Sequence, residues 1–260
     1  MATIGIMDSG SGGLSVFKEI RRALPGARYV YYSDNLHCPY GDKTQEYILE
    51  RTRAITDTLI AKGAQAIVIA CNTATAAAIA QLRAEYEIPF VGMEPAVKPA
   101  ALGTGSGVIG VLATAGTLKA SKYLKTRGLY EDNVRIVEHV GAGFVELVEE
   151  GCLQGPRAEQ TVRESLEPLL REGADTVVLG CTHYPFLLPV LQSEAAKLGY
   201  PGIRFIDPAP AVARQLCKVL EQRGIPAAEP EGYSAEFMSS GPREPMERIL
   251  SLPGLSSAAF

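Results

Sequence analysis

Apolar residues come in short runs along this chain. Each run is stopped by glycine, proline or small polar residues, and longer stretches with helical spacing lie between them. Thr3–Met7, Tyr29–Ser33, Ala66–Ala70, Ile88–Met93, Val108–Thr114, Val134–Val137 and Val177–Gly180 are such runs and are predicted strands. Helices are predicted over Leu14–Leu24, Thr44–Lys62, Ala74–Tyr86, from Phe144 to Glu150, Glu159–Glu172 and Ala211–Arg223, with a last strand at Tyr233–Met238. Uninterrupted apolar runs mark strands buried on both faces, and their alternation with helices predicts an α/β fold with mostly parallel sheets.

Two of the runs end alike. Ile67-Val68-Ile69-Ala70 leads into Cys71-Asn72-Thr73, and Val177-Val178-Leu179-Gly180 leads into Cys181-Thr182-His183-Tyr184-Pro185. The likeness extends further: Ile4-Gly5-Ile6 with Ile109-Gly110-Val111, and Glu94-Pro95-Ala96 with Asp207-Pro208-Ala209. These pairs follow one another in the same order, about 105 to 113 residues apart, as two copies of one unit would. Gly103-Thr104-Gly105-Ser106-Gly107 is the most linker-like segment, just before the pattern restarts.

With 260 residues, the chain is long enough for one large domain or two small ones. Its net charge of −4, without a basic cluster, leaves no footprint for nucleic acid or an anionic membrane. No apolar run is long enough to span a bilayer, and the start of the chain does not read as a signal peptide. The five cysteines form no CxxC pair and leave one over, which argues against a disulfide framework and for a reducing cytoplasm.

Thiols kept reduced are available for chemistry. A cysteine just past a strand's carboxyl end stands where open α/β sheets bind ligands. Two at matched places could address opposite faces of one molecule, one removing a proton and the other returning it. Asp8 after the first strand and His183 beside Cys181 could exchange protons with the thiols, while Ser9, Asn72, Thr73, Thr114, Thr117 and Thr182 offer uncharged hydrogen bonds. Pro39-Tyr40-Gly41 could present backbone N–H groups and a phenol to a small polar ligand, or be a turn with Tyr40 packed beneath it. The loop Asp8-Ser9-Gly10-Ser11-Gly12-Gly13 lets the backbone approach a ligand, yet lacks the lysine of a P-loop and the third glycine of a dinucleotide fingerprint. Cys71, Cys181 and His183 match no common zinc spacing, so no metal is expected. Cys38, Cys152 and Cys217 have no matched context and read as structural.

The motifs Asp8-Ser9-Gly10-x-Gly12-Gly13-Leu14, Pro39-Tyr40-Gly41, Ala70-Cys71-Asn72-Thr73-Ala74, Glu94-Pro95-Ala96 and Gly180-Cys181-Thr182-His183-Tyr184-Pro185 span nearly the whole chain. Together they resemble the aspartate/glutamate racemase superfamily, with the motifs around each cysteine of the glutamate type. The resemblance implies a cofactor-independent enzyme that interconverts L- and D-glutamate for peptidoglycan synthesis, in the cytoplasm and as a homodimer. It implies two pseudo-symmetric three-layer α/β domains, residues 1–96 with 208–260 and residues 97–207, and an active site in the interdomain cleft. The family's two bases fall on Cys71 and Cys181, and its supporting acid–base residues on Asp8, His183 and Glu146. Substrate contacts fall on Asp8, Ser9, Tyr40, Gly41, Asn72, Thr73, Thr182 and His183. The family's extension in members activated by a cell-wall precursor has no counterpart ahead of the first strand, so no such activation is expected. Racemases of aspartate or related amino acids share the two-cysteine plan, and a non-catalytic amino-acid-binding module is the alternative of a different class.

Overall fold

A computed structural model of the chain describes residues 2–226 and 233–255. Residues 227–232 and 256–260, assigned above with the first domain, lie outside the described residues, as does Met1. The chain divides into two compact units, Met1–Met93 with Ala209–Phe260, and Glu94–Pro208.

The first unit holds a five-stranded parallel sheet in the order β4-β3-β1-β2-β9. Its strands are β1 (Thr3–Asp8), β2 (Arg28–Ser33), β3 (Ala66–Ile69), β4 (Phe90–Gly92) and β9 (Ser234–Ser239). Its helices are α1 (Leu14–Ala23), α2 (Gln45–Ala61), α3 (Asn72–Glu85), α10 (Ala209–Gln222) and α11 (Glu244–Leu250). The central strands β1 and β3 are buried at every position, which is why they read as unbroken apolar runs. Met7, Val30, Ile67 and Ile69 point to one face of the sheet, where Ile48, Ile55 and Leu59 of α2 and Ala78, Ile79 and Leu82 of α3 cover them. The intervening Tyr29 and Tyr31 point to the other face and meet Phe17 of α1 edge-on, with Phe237 of β9 beside them.

The second unit is a four-stranded parallel sheet in the order β6-β5-β7-β8. Its strands are β5 (Val108–Ala113), β6 (Arg135–Val140), β7 (Thr176–Gly180) and β8 (Arg204–Ile206). The helices are α4 (Val97–Gly103), α5 (Ala115–Lys119), α6 (Ser121–Gly128), α7 (Phe144–Glu149), α8 (Pro156–Arg171) and α9 (Leu188–Lys197). α8 packs on β5 and β6 with α9 against it, and α4 packs on β5 and β7.

The segment Gly103–Gly107 lies inside the second unit and is not a hinge between copies. The Asp175 carboxylate accepts from Thr104 Oγ1 at 2.7 Å and from the backbone N–H groups of Gly105 and Ser106 at 2.6 and 2.8 Å. Although burial acts to raise its pKa, these bonds win and hold Asp175 down at about 2. The small residues let the backbone wrap a carboxylate, so a composition that resembles a linker encodes an anion-binding turn.

Both sheets reverse their winding beside the cysteines. In the first, β1 connects toward β2 on one side and β3 toward β4 on the other, so the switch point falls between β1 and β3. In the second, it falls between β5, leading to β6, and β7, leading to β8. Open parallel sheets leave a crevice at the carboxyl ends of such a strand pair.

Candidate active site

In the first unit the switch point is lined by Asp8 at the end of β1 and Cys71 directly after β3. Asp8 is wholly buried, and the Gly10 N–H donates to its Oδ2 at 3.0 Å. Tyr31 Oη in turn donates to the Gly10 carbonyl at 3.0 Å. Gly13 is required here, because a Cβ on it would stand 2.5 Å from Asp8 Cβ and 2.8 Å from Tyr31 Oη. Cys71 is 6% exposed, and its thiol donates to Ser9 Oγ at 3.5 Å. It also serves as the N-cap of α3: the Ala74 N–H donates to its Sγ at 3.4 Å. Helix α3 therefore starts at Asn72, two residues before the predicted start, and its amino-terminal dipole favours negative charge on the sulfur.

Asn72 and Thr73 open α3 and are buried. Asn72 is 3% exposed, and neither its amide nitrogen nor its amide oxygen has a hydrogen-bond partner. A buried amide with both ends unsatisfied costs free energy unless a ligand completes it. Tyr40 and Gly41 lie in the 3-10 turn Tyr40–Asp42. Tyr40 is buried, and its hydroxyl donates to Asp34 Oδ2 at 2.6 Å, so the phenol is committed inside the protein; Gly41 is partly exposed.

The second unit repeats the placement with different support. Cys181, 7% exposed, follows β7, and Thr114 follows the neighbouring β5. Gly180 makes this approach of strands feasible, since a Cβ there would lie 2.8 Å from Ala113 Cβ and 2.9 Å from the Leu112 carbonyl oxygen. Thr114 and the buried Thr117 bond each other through their hydroxyls at 3.0 Å. His183 is 1% exposed, with Nδ1 3.7 Å from Cys181 Sγ and 3.4 Å from Thr182 Oγ1. Its Nε2 meets Glu149 Oε1 at 2.7 Å. Burial opposes charge on this ring, but the bonds to Cys181 and Glu149 outweigh it and hold the His183 pKa well above the usual histidine value. Tyr184 points into the core, edge-on to Phe144, which leaves His183 facing the cysteine.

The structure thus gathers Asp8, Ser9, Cys71, Asn72 and Thr73 in one unit, and Thr182, His183 and Cys181 in the other. Glu146 is exposed on α7, and the carboxylate on His183 comes from Glu149, one turn further along the same helix. Sequence reasoning missed Glu149. The signal available was the repeated glutamate at helical spacing from Phe144 to Glu150, which contains both candidates.

Two parallel α/β units, each with a buried thiol at its switch point, define a class of two-domain α/β protein with paired strand-end cysteines. The chain belongs to the Asp/Glu/Hydantoin racemase family, whose profile matches residues 4–216. It is 49% identical over 252 residues to the glutamate racemase of Ectopseudomonas mendocina, covering 96% of this chain and 94% of that one. It is 47% identical over 250 residues to the glutamate racemase of Pseudomonas aeruginosa, with 96% and 92% covered. Among solved structures, glutamate racemase of Escherichia coli, in complex with L-glutamate and the activator UDP-MurNAc-ala, superposes with a TM-score of 0.83 at 36% identity, over 96% of this chain and 94% of that chain. The RacE1 isoform of Bacillus anthracis also gives 0.83, at 32% identity and 96% and 92% coverage.

Proposed function

We propose that the chain is a glutamate racemase that inverts the α-carbon by proton transfer between Cys71 and Cys181. The observation that carries this reading is the buried thiol at the switch point of each sheet. Binding an amino acid needs no thiol; moving a proton between two faces of a carbon needs a base on one and an acid on the other. One sulfur, as thiolate, takes the α-proton, and the electron pair left on carbon is held by the adjacent carboxylate. The other, as thiol, delivers its proton to the opposite face. The net result is inversion with one proton shifted from thiol to thiol, which exchange with solvent restores.

The supporting groups differ between halves. Asp8 and Ser9 serve Cys71, and the His183–Glu149 pair serves Cys181: an imidazolium with Nδ1 near Sγ can return the proton that the thiol gives up. Asn72, with both amide ends unsatisfied, is a substrate contact; Thr73 and the Gly41 backbone in the first unit, and Thr182 in the second, offer the uncharged hydrogen bonds that carboxylates and an ammonium group need. Thr114, which follows β5 beside the end of β7, and its partner Thr117 are further contacts, while Tyr40 acts through its backbone. The reading includes a cytoplasmic setting, a homodimer and a supply of D-glutamate for peptidoglycan. None of the five cysteines is in a disulfide, and a reducing compartment would keep them so.

Proton NMR of the purified chain in deuterated, reducing buffer tests the reaction. Loss of the L-glutamate α-proton signal with formation of D-glutamate is the expected result. Exchange of aspartate alone would reassign the substrate, and no exchange with either acid would overturn the reading.

A further inference from the structure

We propose that Arg51 and Asp34 form a positioning pair that holds the Asn35–Gly41 loop at the height of Cys71 and so sets substrate affinity. The inference rests on the racemase reading, because the loop ends in Tyr40 and Gly41.

The Asp34 carboxylate is wholly buried at the carboxyl end of β2, a costly place for a charge. It is matched by a planar fork: Arg51 of α2 donates from Nη2 to Oδ1 at 2.7 Å and from Nε to Oδ2 at 3.0 Å. The same Oδ2 accepts from Tyr40 Oη at 2.6 Å. A single carboxylate thus ties the far end of the loop to a helix. The loop's near end is fixed as well, since the Asp34 N–H donates to the Asp8 carbonyl at 2.9 Å. Tyr40 and Cys71 belong to one buried cluster. A movement of Asp34 would therefore be passed to Tyr40, to Gly41 and to the surface facing Cys71.

The other side of the loop is clamped by the segment after β9. Asn35 Oδ1 accepts from Ser239 Oγ at 2.7 Å and from the Gly241 N–H at 2.9 Å, its Nδ2 donates to the Pro242 carbonyl, and the Leu36 N–H donates to Ser240 Oγ at 3.1 Å. At the tip, Tyr47 of α2 meets His37 Nδ1. These bonds hold the loop in one conformation, and preorganisation of that kind lowers the ordering cost of binding. Neither Arg51 nor Asp34 is assigned contact with substrate or with the moving proton. The loop they hold contributes binding shared by ground and transition states, so its displacement raises KM and leaves kcat nearly unchanged.

The test is steady-state racemisation of glutamate in both directions by the wild-type chain, Arg51→Lys, Arg51→Met and the double variant Asp34→Asn/Arg51→Met. The double variant removes the charge that Arg51→Met alone leaves buried, so it keeps the question answerable if the single variant fails to fold. The expected result is a KM raised about tenfold in the double variant with kcat within about threefold, and an intermediate KM in Arg51→Lys, which restores the charge without the fork. A folded double variant with wild-type KM would overturn the proposal. So would a fall in kcat at constant KM, the signature of a smaller folded fraction. An inactive wild-type chain would instead sink the racemase reading, and this inference with it.

Discussion

Glu149→Gln removes one charge from beside His183. The substitution preserves volume, and the amide oxygen still reaches Nε2 where the carboxylate stood 2.7 Å away. Hydrogen bonds to charged groups contribute about 1.5–3 kcal/mol, and neutral ones about 0.5–1.5. The difference, about 1–1.5 kcal/mol, is the stabilisation of an imidazolium that the variant loses. Glu149 is only 17% exposed, so solvent screening reduces it little. If His183 passes a proton to and from Cys181, kcat/KM falls roughly five- to tenfold. The two enantiomers are equal in free energy, so this fall must be the same in both directions, and asymmetry appears only in isotope effects. With transfer at Cys181 now the slower step, the α-deuterated enantiomer that gives its proton to Cys181 shows a larger primary effect. The opposite enantiomer shows a smaller one. Stability offers an independent reading. His183 has its pKa raised in the folded state, so its protonation stabilises fully below the unfolded value of about 6.5 and is lost as pH rises through the folded value. The thermal-midpoint gap between wild type and variant should therefore be widest below about pH 6.5 and shrink at alkaline pH. Unchanged kcat/KM with symmetric isotope effects, or a gap that widens with pH, would refute the reasoning.

Gly13→Ala should displace Asp8, whose Cβ would be 2.5 Å from the new methyl group; a loss of about 1–3 kcal/mol in urea unfolding is expected, with kcat/KM falling further than the folded fraction explains. Asn72→Leu replaces an unsatisfied buried amide with an apolar group, so the free protein should gain about 1 kcal/mol while the rise in thermal midpoint on adding D-glutamate disappears. Glu194 is wholly buried on α9; burial acts to raise its pKa, but bonds from Lys197 and Arg163 lower it overall. Its contribution is present above the unfolded value of about 4.3 and lost as pH falls, so Glu194→Gln should flatten the acid limb of a stability–pH curve by about 1 kcal/mol, a modest figure because both cations are half exposed.

The central strands were legible because burial on both faces removes polar residues from them, and β1, β3 and β7 have no exposed position to interrupt the run. Elements at the margin left weaker traces. β8 is three residues long and begins with an exposed arginine, so it has neither length nor pattern. α4 and α9 carry Pro99 and Pro189 in their first turns, where proline is tolerated yet reads as a break. Gly103–Gly107 was misleading for a physical reason: the residues that make a chain flexible also let it close around Asp175.

At the site, the sequence shows that two thiols occupy equivalent places but hides how differently they are held. Cys71 caps a fourteen-residue helix, so the end of α3 supplies a donor and a favourable field at once. After Cys181 the chain enters the short 3-10 turn Tyr184–Leu187, and α9 begins only at Leu188. That sulfur therefore lacks the same helix-end support, and a buried histidine with a carboxylate behind it stands there instead. Tyr184, the first residue of that turn, is buried against Phe144 and bonded to the Gly141 carbonyl at 3.3 Å. Duplication of a fold copies strand ends and winding, because these depend on apolar patterns that tolerate many substitutions. It does not preserve the polar partners, each set by a few contacts between distant residues. The proposed inversion would not need them preserved: it would require only that both sulfurs exchange protons readily, which a helix end and an imidazole favour by separate physical means.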